Sequence, residues 1–285
     1  MKKLFSIVLA ALMVAALFAG CGSSTAETKA PETTAAPAPA TEAAAPAETE
    51  APAETEAAAA FTTIEAGKLI MSTNAAFPPY EMVADDGSFE GIDVEIAGAV
   101  AAKLGLELVV DDMDFDAALL AVQQGKSDIV MAGVTVNEDR KMVMNFSDTY
   151  SKGVQVVIVK EGSDVTLDNL GDQMIGTQRG TTGYIYTSGD YGEDHVTAYD
   201  NGASAVQALM NGQVDCVVID SAPAQAFVET NPGLTILDTE YTSEDYAIGM
   251  SKDNTALLEA VNGALKELTE DGTIPAIVEK YIPTK

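Results

Sequence analysis

The chain is poor in the residues that most often build metal and nucleic-acid sites. Its 285 residues include one histidine, two cysteines and no tryptophan, so neither a Cys/His metal cluster nor a disulfide framework can be proposed. Lysine and arginine number 15 against 44 aspartates and glutamates, a formal net charge of −29. Such a surface repels nucleic acid and anionic lipid head groups. The composition therefore argues against a nucleic-acid partner and predicts no metal or other cofactor.

Apolar residues, in contrast, are plentiful. They make up 47% of the chain, enough for a substantial core, and the length suits two domains of ordinary size. Cys216 lies in an apolar run at residues 214–219, where a small buried thiol is its expected role.

The first 21 residues follow the pattern of a secretion signal. Lys2 and Lys3 precede an apolar run over residues 4–19. The segment ends Leu17-Phe-Ala-Gly-Cys21, which resembles a bacterial lipobox with Cys21 as the lipidated residue, although Phe18 stands where leucine is more usual. The alternative is an ordinary secretion signal with an incidental cysteine. A lipidated Cys21 would hold a soluble domain at the membrane.

Residues 22–60 consist almost entirely of Ala, Pro, Thr, Glu and Ser. This composition has too little apolar bulk to offset the entropy of ordering, so a disordered tether is expected. Scattered prolines stiffen it, and at ~3.1 Å per residue its upper limit of reach is on the order of 120 Å.

From residue 61 onward, strand and helix patterns alternate, which predicts an α/β fold with a mainly parallel sheet covered on both faces. Strands are predicted at 69–73, 106–110, 129–132, 154–159, 174–176, 214–219 and 246–250. Helices are predicted at 92–104, 116–124, 166–170, from 180, and at 203–210, 222–228, 254–270 and 274–281.

Arg140 is one of only two arginines and follows an apolar strand in what reads as a polar turn. Its guanidinium is a fixed fork of donors that suits a carboxylate and keeps its charge. The alternative is a surface arginine paired with one of many acidic neighbours.

Six motifs occur in the order found in one protein family. They are Thr73-Asn-Ala-Ala-Phe-Pro-Pro-Tyr-Glu81, Gly91-Ile-Asp-Val-Glu-Ile-Ala97, Asp114-Phe-Asp-Ala-Ala-Leu-Leu120, the run from Gly133 to Arg140 with Phe146-Ser-Asp-Thr-Tyr150, Gly180-Thr-Thr-Gly183, and residues 215–220. Together they resemble family 3 of the bacterial extracellular solute-binding proteins over about residues 64–282.

The resemblance implies a two-lobe, periplasmic-binding-protein-like (type II) fold with two hinge strands. Lobe 1 would comprise 61–153 plus 240–285, and lobe 2 would comprise 154–239. The hinge strands would lie near 151–156 and 235–240, and closure about such a hinge is an established mode of ligand capture.

The resemblance also places residues around a free amino acid. It puts Arg140 on the α-carboxylate, assisted by Thr181 and Thr182 at the head of a helix, where an anion is favoured. It puts Asp220 on the α-ammonium. An alternative role for Asp220 is the N-cap of the helix that follows.

The remaining positions implied by the resemblance line the walls. Gly133 would supply a backbone carbonyl and Thr135 a hydroxyl, although Thr135 could be an ordinary turn residue. Phe77 and Phe115 would sandwich the ligand side chain, although each alone is more typical of a core.

Two amides bear on specificity. Asn74 stands where relatives for basic amino acids tend to carry an acid, so lysine and arginine are disfavoured and a neutral polar ligand is expected. Gln178 would add a second amide. Asp112 or Asp114 could take the place of that acid. Arg179 could serve an acidic ligand, but its place beside the Gly180 turn favours an outward direction.

The function implied is that of a lipid-anchored, extracellular binding component of an amino acid ABC importer. Gly171-Asp-Gln-Met-Ile-Gly176 lacks the Lys-Ser/Thr of a Walker A sequence, so the ATPase and permease are expected on separate chains. The chain itself is expected to be monomeric and not an enzyme. The alternatives are a prephenate-type dehydratase of similar fold, for which His195 reads as solvent-exposed and not catalytic, and a surface adhesin or the ligand subunit of a sensor.

Overall fold

A computed structural model describes residues 61–238 and 240–283. The expected signal segment, Cys21 and the tether lie outside these residues. Within them, no helix combines the length and the apolar character that a membrane span requires.

The strands, in chain order, are β1 (Lys68–Thr73), β2 (Ala76–Phe77), β3 (Glu81–Val83), β4 (Phe89–Glu90), β5 (Glu107–Asp112), β6 (Ile129–Val130), β7 (Met144–Lys160), β8 (Ile175–Gln178), β9 (Val196–Tyr199), β10 (Cys216–Asp220), β11 (Leu234–Ile236) and β12 (Thr242–Ser251). The α-helices are α1 (Ile92–Lys103), α2 (Phe115–Gln123), α3 (Glu138–Val143), α4 (Thr182–Tyr191), α5 (Gly202–Met210), α6 (Ser221–Thr230), α7 (Thr255–Glu270) and α8 (Thr273–Tyr281). Two 3-10 helices occupy Leu167–Asp172 and Glu193–His195.

Nine of the described strands form one sheet in the order β5-β1-β6-β12-β7-β10-β8-β9, with β11 beside β7. Its two ends are parallel, since β1 pairs in parallel with β5 and β6, and β8 pairs in parallel with β9 and β10. Its centre is antiparallel, because β7 runs against β10, β11 and β12. The expectation of a mainly parallel sheet is therefore wrong at the centre, where long strands pass between the two halves and pair with each other.

These central strands are the two hinge strands of a two-lobe fold. β7 is 17 residues long and β12 is 10. Their pairing runs from Thr242 opposite Gln155 to Ser251 opposite Met144, with irregularities on either side of Ala247. β7 contains the hinge segment expected near 151–156. The second segment lies later than expected, because β11 ends at Ile236 and β12 begins at Thr242.

The core forms on both faces of the sheet. On one side α7 buries a helical stripe consisting of Leu257, Val261, Leu265 and Leu268, and these side chains share a cluster with α1 and β1. Each fully buried leucine or valine contributes roughly 1.5–3 kcal/mol relative to leaving it exposed. Smaller clusters lie under α2 and around β8 and β10. The largest cluster joins side chains from both halves of the sheet, and each half also has a smaller cluster of its own. Polar side chains collect in the cleft between the two lobes.

Three features differ from the sequence expectation and bear on the site. Residues 138–143, expected as a polar turn, form helix α3, which begins at the N-cap Asn137. Its six residues are too few to show a helical period. The strand β9 was not expected, and the short strands β2, β3 and β4 form a separate antiparallel sheet. This small sheet and α3 each deliver charged side chains to the cleft.

Candidate functional site

One cavity of about 430 Å³ brings together all ten residues that the sequence placed around a ligand. They are Asn74, Phe77, Phe115, Gly133, Thr135, Arg140, Gln178, Thr181, Thr182 and Asp220. The cavity is also lined by residues that sequence reasoning did not select: Glu81, Ala132, Gln155, Val218, Ile219 and Tyr246. The geometry thus agrees with the predicted set, while contact of these residues with a ligand stays a prediction.

Arg140 is buried in the cavity wall at 7% exposure. Its backbone N–H donates to the N-cap Asn137, 2.8 Å away, which fixes the first turn of α3. The guanidinium donates to the carbonyls of Thr135 (2.8 Å) and Gly180 (3.2 Å) and lies 5.3 Å from the centre of the Phe115 ring. No carboxylate of the described residues lies within salt-bridge distance of it.

This environment is unusual for a cation. Burial lowers the pKa of the Arg140 guanidinium, and the negative charge of Glu244 opposes that shift. A buried charge is normally paired, and here the direct partners are neutral carbonyls and a ring. Arg140 therefore fits a site for an incoming carboxylate better than a surface ion pair.

Asp220 ends β10 and is 1% exposed. One carboxylate oxygen, Oδ1, accepts from the backbone N–H of Ala222 at 3.1 Å, so Asp220 is the N-cap of α6. The other, Oδ2, accepts from the N–H of Val154 at 2.8 Å. Burial raises the pKa of this carboxyl to about 6, although hydrogen bonds from Tyr246, Ala222 and Val154 act in the opposite direction. Asp220 therefore caps α6 and also lines the cavity, because a carboxylate has about four acceptor positions.

The start of α4 closes the cavity opposite α3. Thr181 is its N-cap, accepting from the N–H of Tyr184 at 3.4 Å and donating to the carbonyl of Gln178 at 2.8 Å. The Thr182 hydroxyl lies 3.4 Å from that of Thr135 across the cleft. The first N–H groups of a helix lack partners within it and favour an anion. The start of α4 therefore suits the same incoming carboxylate that Arg140 suits.

Aromatic rings form the apolar walls. Phe77 and Phe115 are both buried, and Phe77 packs against Gly133. Gly133 has φ +53°, and a Cβ added there would lie 2.8 Å from the Phe77 ring. Glycine is thus required at this position both by its backbone conformation and by the close approach of the ring.

The two amides predicted to set specificity contact each other. The Gln178 Nε2 donates to the Asn74 Oδ1 at 2.9 Å, and the Asn74 Nδ2 donates to the carbonyl of Met113 at 2.9 Å. Asn74 follows β1 and Gln178 ends β8, so this pair joins the two halves of the sheet. Together with the contacts from Arg140 to Gly180 and from Thr135 to Thr182, it bridges the cleft at both ends.

Glu81 is the most informative residue that sequence reasoning missed. It lies on β3, directly opposite Phe77 of β2, and is 0% exposed. Burial and the neighbouring Asp93 carboxyl raise its pKa well above the ordinary range. Its place at the end of the Thr73–Glu81 motif was visible in the sequence. Nothing in the sequence indicates that Glu81 lines the cavity, because a glutamate at a strand end is usually exposed.

Three other residues singled out from the sequence do not line the cavity. The Arg179 side chain is 53% exposed and lies 3.5 Å from the Asp200 carboxylate, as expected for an outward direction. His195, expected to be solvent-exposed, is half-buried, with its Nδ1 3.4 Å from the carbonyl of Gln173. Cys216 is fully buried, and burial raises the pKa of its thiol to about 12.

Residues 69–284 match the bacterial extracellular solute-binding proteins, family 3. The chain belongs to this family. A probable histidine-binding protein of Neisseria gonorrhoeae is 33% identical over 231 residues, which is 78% of this chain and 86% of that protein. Among solved structures, an ancestral arginine-binding protein bound to glutamine is 38% identical with a TM-score of 0.73, covering 76% of this chain and 99% of that one.

A second ancestral arginine-binding structure, bound to arginine, is 39% identical with a TM-score of 0.72, covering 76% of this chain and 98% of that one. These structural neighbours have the two-lobe fold of amino acid-binding proteins, in agreement with the lobes and hinge strands seen here. The relatives are named as binding proteins and not as enzymes, so the expectation that this family member is not an enzyme is confirmed.

Proposed function

We propose that this protein is the substrate-binding component of an amino acid ABC importer and closes its lobes around one free amino acid. The observation that carries the proposal is the unpaired, buried cation Arg140 in the same cavity as the buried acid Asp220. A free amino acid has one carboxylate and one ammonium, so it supplies the counter-charge that each residue lacks. The helix α4 adds N–H donors for the carboxylate.

The ligand side chain is proposed to end in N–H donors. Asn74 and Gln178 present amides to the cavity, and Glu81 adds a buried carboxyl. The expectation from the sequence is a neutral polar side chain, which Asn74 alone favours. Glutamine has such a side chain. Glu81 extends the class to a cationic side chain, such as that of arginine. Structural relatives bound to glutamine and to arginine support both members of this class.

The remaining parts of the proposal concern the whole chain. Lobe 1 is assigned to 61–153 plus 240–285 and lobe 2 to 154–239. Lipidation of Cys21 and the tether at 22–60 would keep the lobes at the extracellular face of the membrane, beside permease and ATPase subunits on separate chains. A monomer delivering one ligand at a time fits this arrangement.

Isothermal titration against the free amino acids and cystine tests the proposal. We expect one ligand per protein, with glutamine and arginine among the ligands bound, and a rise in melting temperature with ligand concentration. Silence against all of them would refute the proposed function. Recovery of permease subunits with the full-length lipoprotein would separate import from a sensor or adhesin role.

A further inference from the structure

A cluster of three buried ionisable groups lies at the Phe77 side of the cavity. Glu81 comes from β3, Asp93 from the first turn of α1, and Tyr150 from β7. Both carboxyl groups are 0% exposed. Both oxygens of Glu81, the Asp93 Oδ1 and the Tyr150 hydroxyl lack a hydrogen-bond partner among the described residues. Four such atoms in one cluster need an explanation, because unsatisfied buried polar groups are rare.

The groups influence one another without reaching good hydrogen-bond geometry. Each of the three perturbs the pKa of at least one other. The Asp93 Oδ2 accepts from the N–H of Gly133 at 2.9 Å, which ties the cluster to the cavity wall.

The other ionisable groups of the described residues that act on the cluster carry no positive charge. Asp112 of β5 adds a repulsive negative charge to Glu81. Burial raises the pKa of Tyr80, and the charges of Asp220, Asp93 and Glu81 add to that shift. No lysine or arginine of the described residues forms a salt bridge with Glu81 or Asp93. Two neighbouring carboxyls without a cation cannot both ionise at low cost when buried, so they titrate as a pair.

We propose that Glu81 and Asp93 together hold one exchangeable proton, and that this proton decides whether the cavity accepts a neutral amide or a cationic guanidinium. The inference rests on the proposed function, since it concerns the side chain of the same ligand. An un-ionised Glu81 offers one O–H donor besides acceptor lone pairs, which suits an amide. An ionised Glu81 offers acceptors only, which suits the fork of a guanidinium.

Charge is conserved in the exchange. When a guanidinium ligand enters, the proton leaves the pair for the solvent, and the cation of the ligand replaces it. When an amide ligand enters, the pair keeps its proton or takes one up. Because arginine selects the form that has lost the proton, its affinity rises with pH until the ligand-free pair is fully ionised. Glutamine selects the protonated form, so its affinity falls once the ligand-free pair begins to ionise.

The test counts protons. Titration of the wild-type protein with arginine and with glutamine, in buffers of different ionisation enthalpy, gives the protons exchanged with each ligand. We expect the two counts to differ by about one proton, with release on the arginine side, at every pH between about 5 and about 8. If only one ligand binds, the wild-type protein should differ from Glu81→Gln in its proton count, by greater release with arginine or by greater uptake with glutamine.

Two variants, Glu81→Gln and its control Glu90→Gln, test whether Glu81 takes part in holding the proton. Glu81→Gln cannot ionise, so we expect the difference in proton count to vanish and the arginine-to-glutamine affinity ratio to fall by about tenfold or more. Glu90→Gln, an exposed change on the neighbouring strand β4, should leave both quantities unchanged.

Equal proton counts for the two ligands in the wild-type protein would overturn the inference while leaving the proposed function intact. A pH-dependent affinity ratio that persists in Glu81→Gln would do the same. Absence of binding by both ligands would refute the proposed ligand class and the inference with it. The wild-type proton count does not depend on whether the variant folds.

Discussion

Replacing Arg140 with alanine should abolish ligand binding while leaving the lobes folded. The guanidinium is the buried cation of the cavity, and its direct partners are the carbonyls of Thr135 and Gly180 and the Phe115 ring. In the variant, the ligand carboxylate would be buried without a counter-charge. Truncating one partner of a buried, hydrogen-bonded charge pair costs about 2–5 kcal/mol. At about 1.4 kcal/mol per decade, this corresponds to a loss of affinity between about 30-fold and about 4,000-fold.

The same structure predicts a small effect on stability without ligand. Alanine loses two hydrogen bonds to carbonyls, worth about 1 kcal/mol each. It also removes a buried cation whose desolvation is only partly offset. These effects oppose each other, so the melting temperature of the ligand-free variant should stay within a few degrees of the wild type.

Two further arginine variants sharpen the experiment. Arg140→Lys keeps the charge but loses the bidentate fork, so its affinity should lie between those of the wild type and the alanine variant. Arg179→Ala removes the exposed arginine and should change the affinity less than threefold, since surface pairs are worth about 0–1 kcal/mol. Titration calorimetry and thermal melts measure both quantities. A loss below tenfold for Arg140→Ala, or an equal loss for Arg179→Ala, would show that Arg140 does not bind the carboxylate.

Three other predictions follow from the cavity and its surroundings. Asp220→Asn should weaken binding by a few kcal/mol. In the wild type, ionisation of Asp220 should contribute a rise in affinity with pH through about 6 for every amino acid, because the ionised carboxylate is the form that binds an ammonium and burial raises its pKa to that value. The variant should lose this contribution. Calorimetry over that range checks it, and an unchanged pH profile would refute the assignment. Gly153→Ala should weaken binding at least tenfold, because the added Cβ would lie 2.6 Å from both the Asp220 Oδ2 and the Tyr246 ring. The matched control is Gly189→Ala, whose added Cβ would have no neighbour within 4 Å. Cys216 should resist alkylation in the native protein and react after unfolding, because burial raises its pKa to about 12, and peptide mass spectrometry would detect native labelling that contradicts this.

Much of the fold could be predicted from local pattern. Helices such as α1 and α7 carry apolar residues at helical spacing and end where glycine or polar residues begin, so their bounds agree with expectation to within one or two residues. Local pattern predicts the hinge strand β7 only over 154–159, because its first ten residues carry polar side chains such as Asn145 and Asp148. The family resemblance extends that expectation only to residue 151. Those residues lie in a strand because β12 pairs with them, and pairing of this kind is not visible in a local window.

The candidate site divides in the same way. The ten predicted residues meet in one cavity because the motifs that carry them lie at strand ends and helix starts. Such positions converge in an α/β fold. Glu81 and Tyr246 were missed for a different reason. Each lines the cavity because elements that are distant in sequence pack together. A glutamate or a tyrosine at a strand position does not by itself predict burial. The helix α3 was missed because it is only six residues long, yet it positions Arg140.

The incomplete pairing of charges predicts that closure depends on a ligand. Among the described residues, no anion forms a salt bridge with Arg140, and no cation forms one with Glu81 or Asp93. Burying charges in this way is costly, so the groups proposed to recognise the ligand should also disfavour bringing the lobes together without it. An amino acid would supply the missing counter-charges only in the closed form. It can shift the equilibrium between open and closed forms only by the difference between its interaction energies with the two forms. The cleft contacts from Gln178 to Asn74 and from Arg140 to Gly180 then hold the lobes together. Changing Asn74, Gln178 or Glu81 should alter which amino acid is chosen, because all three line the cavity in which the ligand side chain is proposed to lie.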